Sequence, residues 1–126
     1  MRIAITALLC TLALQASAAK PRPVRRRVVR WAHAEASKAI YMGQCPVRLV
    51  FTGTILAARP GEITFMWKRS DGVIGPARTI TATRRGQAWR VREEWELSGS
   101  TRGWAQVWIP AEQYGSTVAR FSVRCK

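Results

Sequence analysis

Hydrophobic and polar residues alternate along most of the chain after residue 28, the pattern of β-strands with one buried face. Turn signals that contain Gly or Pro separate the alternating runs, as at 59–61 and 70–72, and Gly53 is expected to end the second strand. About seven short strands at roughly ten-residue spacing, without a helical pattern, predict an all-β, immunoglobulin-like antiparallel β-sandwich. The predicted strands are 28–34, 47–52, 63–68, a short one around Ile80, 89–97, 104–109 and 119–125.

The first 19 residues have the layout of an export signal. Arg2 supplies the positive start, residues 3–14 are apolar, and the small residues 16–19 offer a cleavage site. The apolar run is too short to span a bilayer. The sequence therefore predicts a removed signal peptide and a secreted or periplasmic protein, and an uncleaved membrane anchor is the alternative.

Cleavage of that signal leaves two cysteines, Cys45 and Cys125. An even number of cysteines in an exported protein predicts a disulfide. In an immunoglobulin-type sandwich, the start of the second strand and the end of the last strand share one pole, which suits a bridge between these two residues. Free thiols and a metal pair are the alternatives, although a zinc site would need further ligands.

Several short motifs occur together between roughly residues 41 and 125. They are Gly43-x-Cys45-Pro46-Val47-x-x-x-Phe51-x-Gly53, Phe65-x-Trp67-x-x-Ser70-Asp71-Gly72, Trp95-x-Leu97, Gly103-Trp104, Pro110 and Phe121-x-Val123-x-Cys125. As a set they resemble a family of small bacterial secreted immunoglobulin-like domains. The resemblance implies an exported sandwich and no activity. Antibody-type function does not follow from it, because the usual disulfide across the middle of the sandwich is absent.

The charge is strongly one-sided, with 21 basic and 7 acidic residues and a net charge of +14. Residues 20–30 combine two prolines with clustered arginines, which predicts a solvated, flexible arm before a sandwich at 31–126. The arm is expected to bind anionic cell-envelope polymers, to bind nucleic acid without specificity, or to act only as a spacer. Its candidate binding residues are Arg22, Arg25, Arg26, Arg27 and Arg30.

Two tryptophans form a second candidate binding surface. Trp104 and Trp108 share one side of their predicted strand, whereas the small and aliphatic residues between and after them occupy the other. Branched aliphatic residues pack well on the core side of a sheet, which places both indoles outside as a recognition surface. The alternatives are that the tryptophans are core while the small residues face out, that the strand is buried on both faces, and that the arm folds over the tryptophans.

Residues suited to catalysis are scarce. His33 is the single histidine, and no serine or cysteine has an identifiable base and orienting residue beside it. Alternation places Glu94 and Glu96 outside, next to arginines. Glu93 shares the side of Trp95, which calls for a bulge or for a partner of a buried carboxylate. No spacing fits a metal or cofactor site, so neither catalytic residues nor a cofactor or metal is predicted.

The sequence thus predicts an exported, non-catalytic binding module that contacts an anionic or glycan-bearing envelope surface. One alternative is an accessory or structural subunit that docks a larger secreted protein. Another is a small cationic antimicrobial or inhibitory protein. Salt dependence separates polymer binding from apolar docking, because only charge-driven binding weakens steeply as salt rises.

Overall fold

The structure, a computed structural model, describes residues 27–126, and the predicted signal peptide lies outside them. All predicted strands are present, and the sequence missed the short strands β2 and β8. A 3₁₀ turn, Pro110–Glu112, follows β7. The strands are β1 (Val29–Ala36), β2 (Ile40–Gly43), β3 (Val47–Ala57), β4 (Gly61–Arg69), β5 (Arg78–Ala82), β6 (Ala88–Leu97), β7 (Thr101–Ile109), β8 (Tyr114–Gly115) and β9 (Ala119–Cys125).

The strands form two sheets that pack face to face. The smaller sheet has the order β1-β3-β6, and the larger has the order β2-β9-β7-β4-β5, with β8 paired to β7. Neighbouring strands are antiparallel, except that β2 runs parallel to β9. The predicted fold class, an immunoglobulin-like β-sandwich, is confirmed.

Aromatic rings fill the centre of the sandwich. Phe51 is fully buried, and its ring centroid lies 6.5 Å from that of Trp67, 6.3 Å from that of Trp95 and 5.7 Å from that of Phe121. Such tilted and edge-on contacts stabilise a core beyond the area that they bury. Trp67 and Trp95 are core residues, as the alternation along β4 and β6 indicates.

Gly53 does not end β3, as the sequence suggested, because the strand continues to Ala57. Gly53 is buried between the two sheets. A Cβ at this position would lie 2.7 Å from Cγ2 of Val107 and 2.9 Å from Cγ2 of Val91. The glycine therefore serves close packing of the sheets and not a turn.

The predicted disulfide between Cys45 and Cys125 is confirmed, with a Cα–Cα distance of 5.5 Å. The parallel pairing of β2 with β9 places Gly43 opposite Cys125, so both cysteines lie at one pole of the sandwich. The sequence missed β2 because its outward residues are apolar. Ile40 and Met42 are 78% and 54% exposed, which breaks the expected alternation of buried apolar and exposed polar positions.

The first strand begins earlier than the predicted end of the arm. Val29 is buried and Arg30 belongs to β1, so the sandwich already includes these two residues. A register shift between Val29 and Trp31 then places Trp31 and His33 on the outer face.

Side chains from 112–117 accept the outward N–H groups of this edge strand: Val29 donates to Glu112 (3.2 Å), Ala32 to Tyr114 (3.3 Å) and Ala34 to Thr117 (3.3 Å).

Candidate functional site

The outer face of the smaller sheet is electrically balanced. Glu94 and Glu96 lie outside as predicted, and Arg48 approaches their carboxylates at 3.6 and 3.7 Å. Arg92 contacts Glu94 at 3.0 Å. These exposed pairs contribute little to stability, but they provide acidic partners for Arg48 and Arg92.

The outer face of the larger sheet carries unbalanced positive charge. Within residues 27–126, none of its outward cations forms an ion pair with an acidic side chain. Glu62 is the acidic residue on the outward side of these strands, in the half of β4 that pairs with β5. An anionic ligand is therefore attracted to this sheet rather than to the smaller one. The outward cations are Lys68, Arg102, Arg120 and Arg124.

Trp104 lies at the centre of this positive face. The register of β7 with β9 places Arg120 directly opposite Trp104, and Arg102 is two residues earlier on the same face of β7. Directly opposite residues of an antiparallel pair have Cβ atoms about 4.5–5.5 Å apart. An indole is thus flanked by two guanidinium groups. These side chains line an open cavity of about 540 Å³, together with Ser70 and Ser122.

Ser70 joins the site through backbone contacts with β7. Trp104 donates its N–H to Oγ of Ser70 (3.0 Å), and Ser70 donates its N–H to the carbonyl of Trp104 (3.0 Å). This approach requires Gly103, since a Cβ there would lie 2.4 Å from Oγ of Ser70. The glycine therefore allows the end of β4 to close one side of the cavity.

The turn after Ser70 is fixed by Arg69 and Asp71. Arg69 donates to the Asp71 carboxylate, and this hydrogen bond lowers the pKa of Asp71 below its ordinary value. Asp71 also accepts the N–H of Val73 (3.1 Å), while the guanidinium of Arg69 lies 4.1 Å from the ring centroid of Trp95. The turn is thus tied to the core beneath the site.

The two tryptophans of the predicted recognition surface have different surroundings. Both are half-buried on the outer side of β7, opposite the buried Val107 and Ile109. Lys68 places its ammonium 3.7 Å from the ring centroid of Trp108, so a cation already covers that indole. Trp104 lines the cavity, which Trp108 does not. The geometry makes Trp104 the better stacking platform for a ligand.

We expect Trp108→Ala to lower the free energy of unfolding by about 2 kcal/mol, roughly half the cost of removing a fully buried tryptophan. The reason is that the ring is half-buried and stacked under Lys68. Chemical denaturation measures the change. Trp31→Ala is the control, because Trp31 is 41% exposed and its loss is expected to cost less. Equal losses of unfolding free energy in the two variants would contradict the half-buried position of Trp108 under Lys68.

The arginines of the predicted arm fall partly outside the described residues, since Arg22, Arg25 and Arg26 precede residue 27. Arg27 is exposed, and its guanidinium lies 5.3 Å from the ring centroid of Tyr114. Arg30 is exposed on β1. The chain thus enters the sandwich beside the 3₁₀ turn, and the two arm arginines that the structure describes, Arg27 and Arg30, do not line the cavity at Trp104.

The sequence did not identify Arg102, Arg120 or Ser70 as site residues. The arginines are ordinary members of a basic chain until the pairing of β7 with β9 is known. A usable signal was present, because Arg102 has the same parity as Trp104 along β7. Arg120 and Ser70 can be recognised as site residues only when the residues that they contact on other strands are known.

Glu93 points inward without a bulge. The register of β3 with β6 is continuous and places Phe51 opposite Glu93. Glu93 is half-buried at the margin of the sandwich, and its Oε1 accepts the N–H of Glu94 at 3.1 Å. The carboxylate therefore satisfies part of its hydrogen bonding within its own strand.

His33 bridges a hydroxyl and a carboxylate on the outer face of β1. Its Nδ1 lies 2.8 Å from Oγ1 of Thr117, and its Nε2 lies 3.0 Å from Oε1 of Glu35. Thr117 also accepts the N–H of Ala34, so this contact helps to fasten the 112–117 segment to the strand. Across residues 27–126, no group of three or more His, Cys, Asp or Glu side chains is placed to hold a metal ion.

No family model and no curated protein matches this chain. A solved CARDB domain from Pyrococcus furiosus, in complex with di-metal ions, has a TM-score of 0.56 at 7% identity and covers 80% of this chain and 99% of that domain. The alkylpurine DNA glycosylase AlkC from Pseudomonas fluorescens, bound to DNA containing an abasic site analog, has a TM-score of 0.53 at 15% identity. The match covers 78% of this chain but spans only 31% of the glycosylase. At these identities the likeness shows the fold alone.

Two observations bear on the compartment. The Cys45–Cys125 disulfide is compatible with an exported protein, because disulfides persist in oxidising environments. In the part of the chain that the structure describes, no helix has the length and apolar character needed to cross a membrane.

Proposed function

We propose that this protein is an exported, non-catalytic binding module whose larger sheet binds an anionic, sugar-bearing polymer of the cell envelope. The observation that carries the proposal is Trp104 between Arg102 and Arg120, at an open cavity with no acidic partner for either guanidinium among residues 27–126. An indole stacks on the apolar face of a sugar ring. A guanidinium binds a carboxylate or phosphate with two hydrogen bonds.

Export is supported by the signal-like first 19 residues, by the disulfide and by the resemblance to bacterial secreted immunoglobulin-like domains. The fold shared with the CARDB domain is consistent with an interaction module. The basic residues before β1 add a sequence-independent attraction for the same kind of polymer. Binding to nucleic acid would follow only from this general attraction, because nothing in the arm encodes a base preference.

Binding of the purified mature protein to alginate, a uronic-acid polymer, tests the proposal, with neutral dextran as the comparison. We expect the double variant Arg102→Ala/Arg120→Ala to bind alginate roughly tenfold or more weakly, which corresponds to about 1.4 kcal/mol. The matched control is Arg84→Ala/Arg85→Ala, which removes the same charge from an exposed turn. Calorimetric titration at low and high salt measures both affinities.

An equal loss of affinity in both double variants would show that net charge alone drives binding, and the site at Trp104 would then be wrong. Trp104→Phe and Trp104→Ala refine the result. The phenyl ring should retain part of the affinity that alanine loses, because stacking needs an aromatic face. A complete absence of alginate binding at low salt would reject this ligand class.

A second function, docking to a larger secreted protein, is favoured by the exposed apolar residues of β2. Ile40 and Met42 lie on the same outer face as the cavity, at the edge beside β9. Exposed apolar residues that cluster at a sheet edge are typical of protein contacts. Binding through them should persist at high salt, whereas polymer binding through Arg102 and Arg120 should not.

A further inference from the structure

The outer edge of β6 carries backbone hydrogen-bonding groups with no strand beside them. β6 is the last strand in the order β1-β3-β6, and within residues 27–126 no strand pairs with its far side. The opposite edge of this sheet differs, because side chains from 112–117 accept the outward N–H groups of β1. The edge at which a further strand can add is therefore β6.

The backbone bonds of β3 identify the residues of β6 that face this edge. Ser37 donates its N–H to the carbonyl of Val50 (2.8 Å), so the even-numbered residues of β3 bond towards β1. Ala57 donates to the carbonyl of Gln87 (2.9 Å), so the odd-numbered residues bond towards β6. Because the β3–β6 register is uninterrupted, the odd residues of β6 bond to β3. The charged even residues, whose N–H and C=O groups point to the free edge, are Arg90, Arg92, Glu94 and Glu96.

The side chains of these four residues have a charge order that is complementary to itself. In an antiparallel pair of two β6 strands with Glu93 on the two-fold axis, Arg92 lies opposite Glu94 of the second copy. Arg90 then lies opposite Glu96 of the second copy. Moving the axis by one residue places Arg92 opposite Arg92, or Glu94 opposite Glu94. Opposite charges stabilise and like charges destabilise directly facing positions, so these four outer-face side chains favour the register centred on Glu93.

We propose that two copies of this protein pair through β6 in this register and join their smaller sheets into one six-stranded sheet. The contact is isologous, as in most homodimers. It extends charge pairs that each copy already contains, since Arg48 lies 3.6 Å from Glu94 and 3.7 Å from Glu96. The dimer presents two copies of the larger sheet to one polymer, which raises the avidity of any ligand that spans both.

Glu93 limits the strength of this dimer. Its carboxylate accepts the N–H of Glu94, which is one of the donors at the free edge. On the axis it also meets Glu93 of the second copy, at the short spacing of a pair without mutual hydrogen bonds. An inward-pointing charge on an edge strand reduces edge-to-edge pairing. The dimer is therefore weak in the natural protein and becomes tighter when this carboxylate is removed.

Sedimentation equilibrium of the mature protein at about 0.15 M salt tests the proposal. We expect a monomer–dimer equilibrium that is roughly tenfold tighter in Glu93→Ala. Arg92→Glu and Glu94→Arg should each weaken it, because each places like charges opposite one another. An equimolar mixture of these two variants should recover the dimer, since both facing pairs are then opposite in charge. Melting temperatures show that each variant is folded.

A cysteine on the two-fold axis gives a second test of the dimer. This test remains usable if a charge-reversal variant does not fold. Glu93→Cys should form a disulfide-linked dimer under mild oxidation, because the facing Cα atoms are about 4.5 Å apart in such a pair. Arg90→Cys is the control, since its two copies would be separated by about 20 Å along the strands. The proposal is overturned if Glu93→Ala stays monomeric at every concentration, if the mixture assembles no better than its components, or if both cysteine variants cross-link equally.

Discussion

Replacing Cys45 and Cys125 together by serine is expected to lower the free energy of unfolding by about 4–5 kcal/mol. The bond joins residues separated by 80 positions, and in the chain-entropy model a loop of this length restricts the unfolded chain by about that amount. Domains of this kind are stable by only about 5–15 kcal/mol. Loss of the disulfide therefore removes a large share of the total. Urea denaturation of the double variant measures the difference.

The wild-type protein under reducing conditions is the natural control for this experiment. Its midpoint should approach that of Cys45→Ser/Cys125→Ser, because both lack the same cross-link. The double variant itself should not respond to a reducing agent. A loss below about 1 kcal/mol in both would mean that the unfolded chain is already compact without the bond, contrary to the chain-entropy argument.

Phe51→Ala is expected to cost about 3–5 kcal/mol, the range for removing a fully buried aromatic ring. Phe51 contacts the rings of Trp67, Trp95 and Phe121 from its central position on β3, so its removal leaves a cavity between both sheets. The neighbouring variant Thr52→Ala is the control. Thr52 points to the outer face, and its loss should change stability by less than about 0.5 kcal/mol.

Phe51→Leu separates the volume of the ring from its aromatic contacts. Leucine retains apolar volume, so this variant should fall between wild type and Phe51→Ala. A cost below about 1 kcal/mol for Phe51→Ala would show that the neighbouring rings close the cavity. The aromatic cluster would then not be the rigid centre of the sandwich.

The sequence predicted the elements whose alternation is strong. β4, β6 and β9 were recognised because their inward residues, such as Phe65, Trp95 and Phe121, are large and apolar while their neighbours are polar. β2 was missed, since Ile40 and Met42 face outward on an edge strand. Gly53 was read as a strand end because a glycine's local preference resembles a turn signal. Only the approach of Val91 from the adjacent strand and of Val107 from the facing sheet explains it.

Only part of the candidate site could be predicted from the sequence. Parity along one strand placed Trp104 and Trp108 on the outer side of β7, and the structure agrees with that placement. The cover of Trp108 by Lys68 and the pairing of Trp104 with Arg120 depend on the register between strands far apart in sequence. No pattern within a single strand contains that information.

The position of the disulfide has a mechanical consequence. Tension applied through the chain before β1 and after Cys125 passes from Cys45 directly to Cys125, because the covalent bond is the shorter path. Strands β3 to β9 lie within the closed loop and carry no load along the chain. Unfolding under force can therefore detach β1 and β2 from the sandwich. It then stops for as long as the disulfide is intact. A reductant would turn the same protein from a short, stiff tether into a chain that extends along its full length.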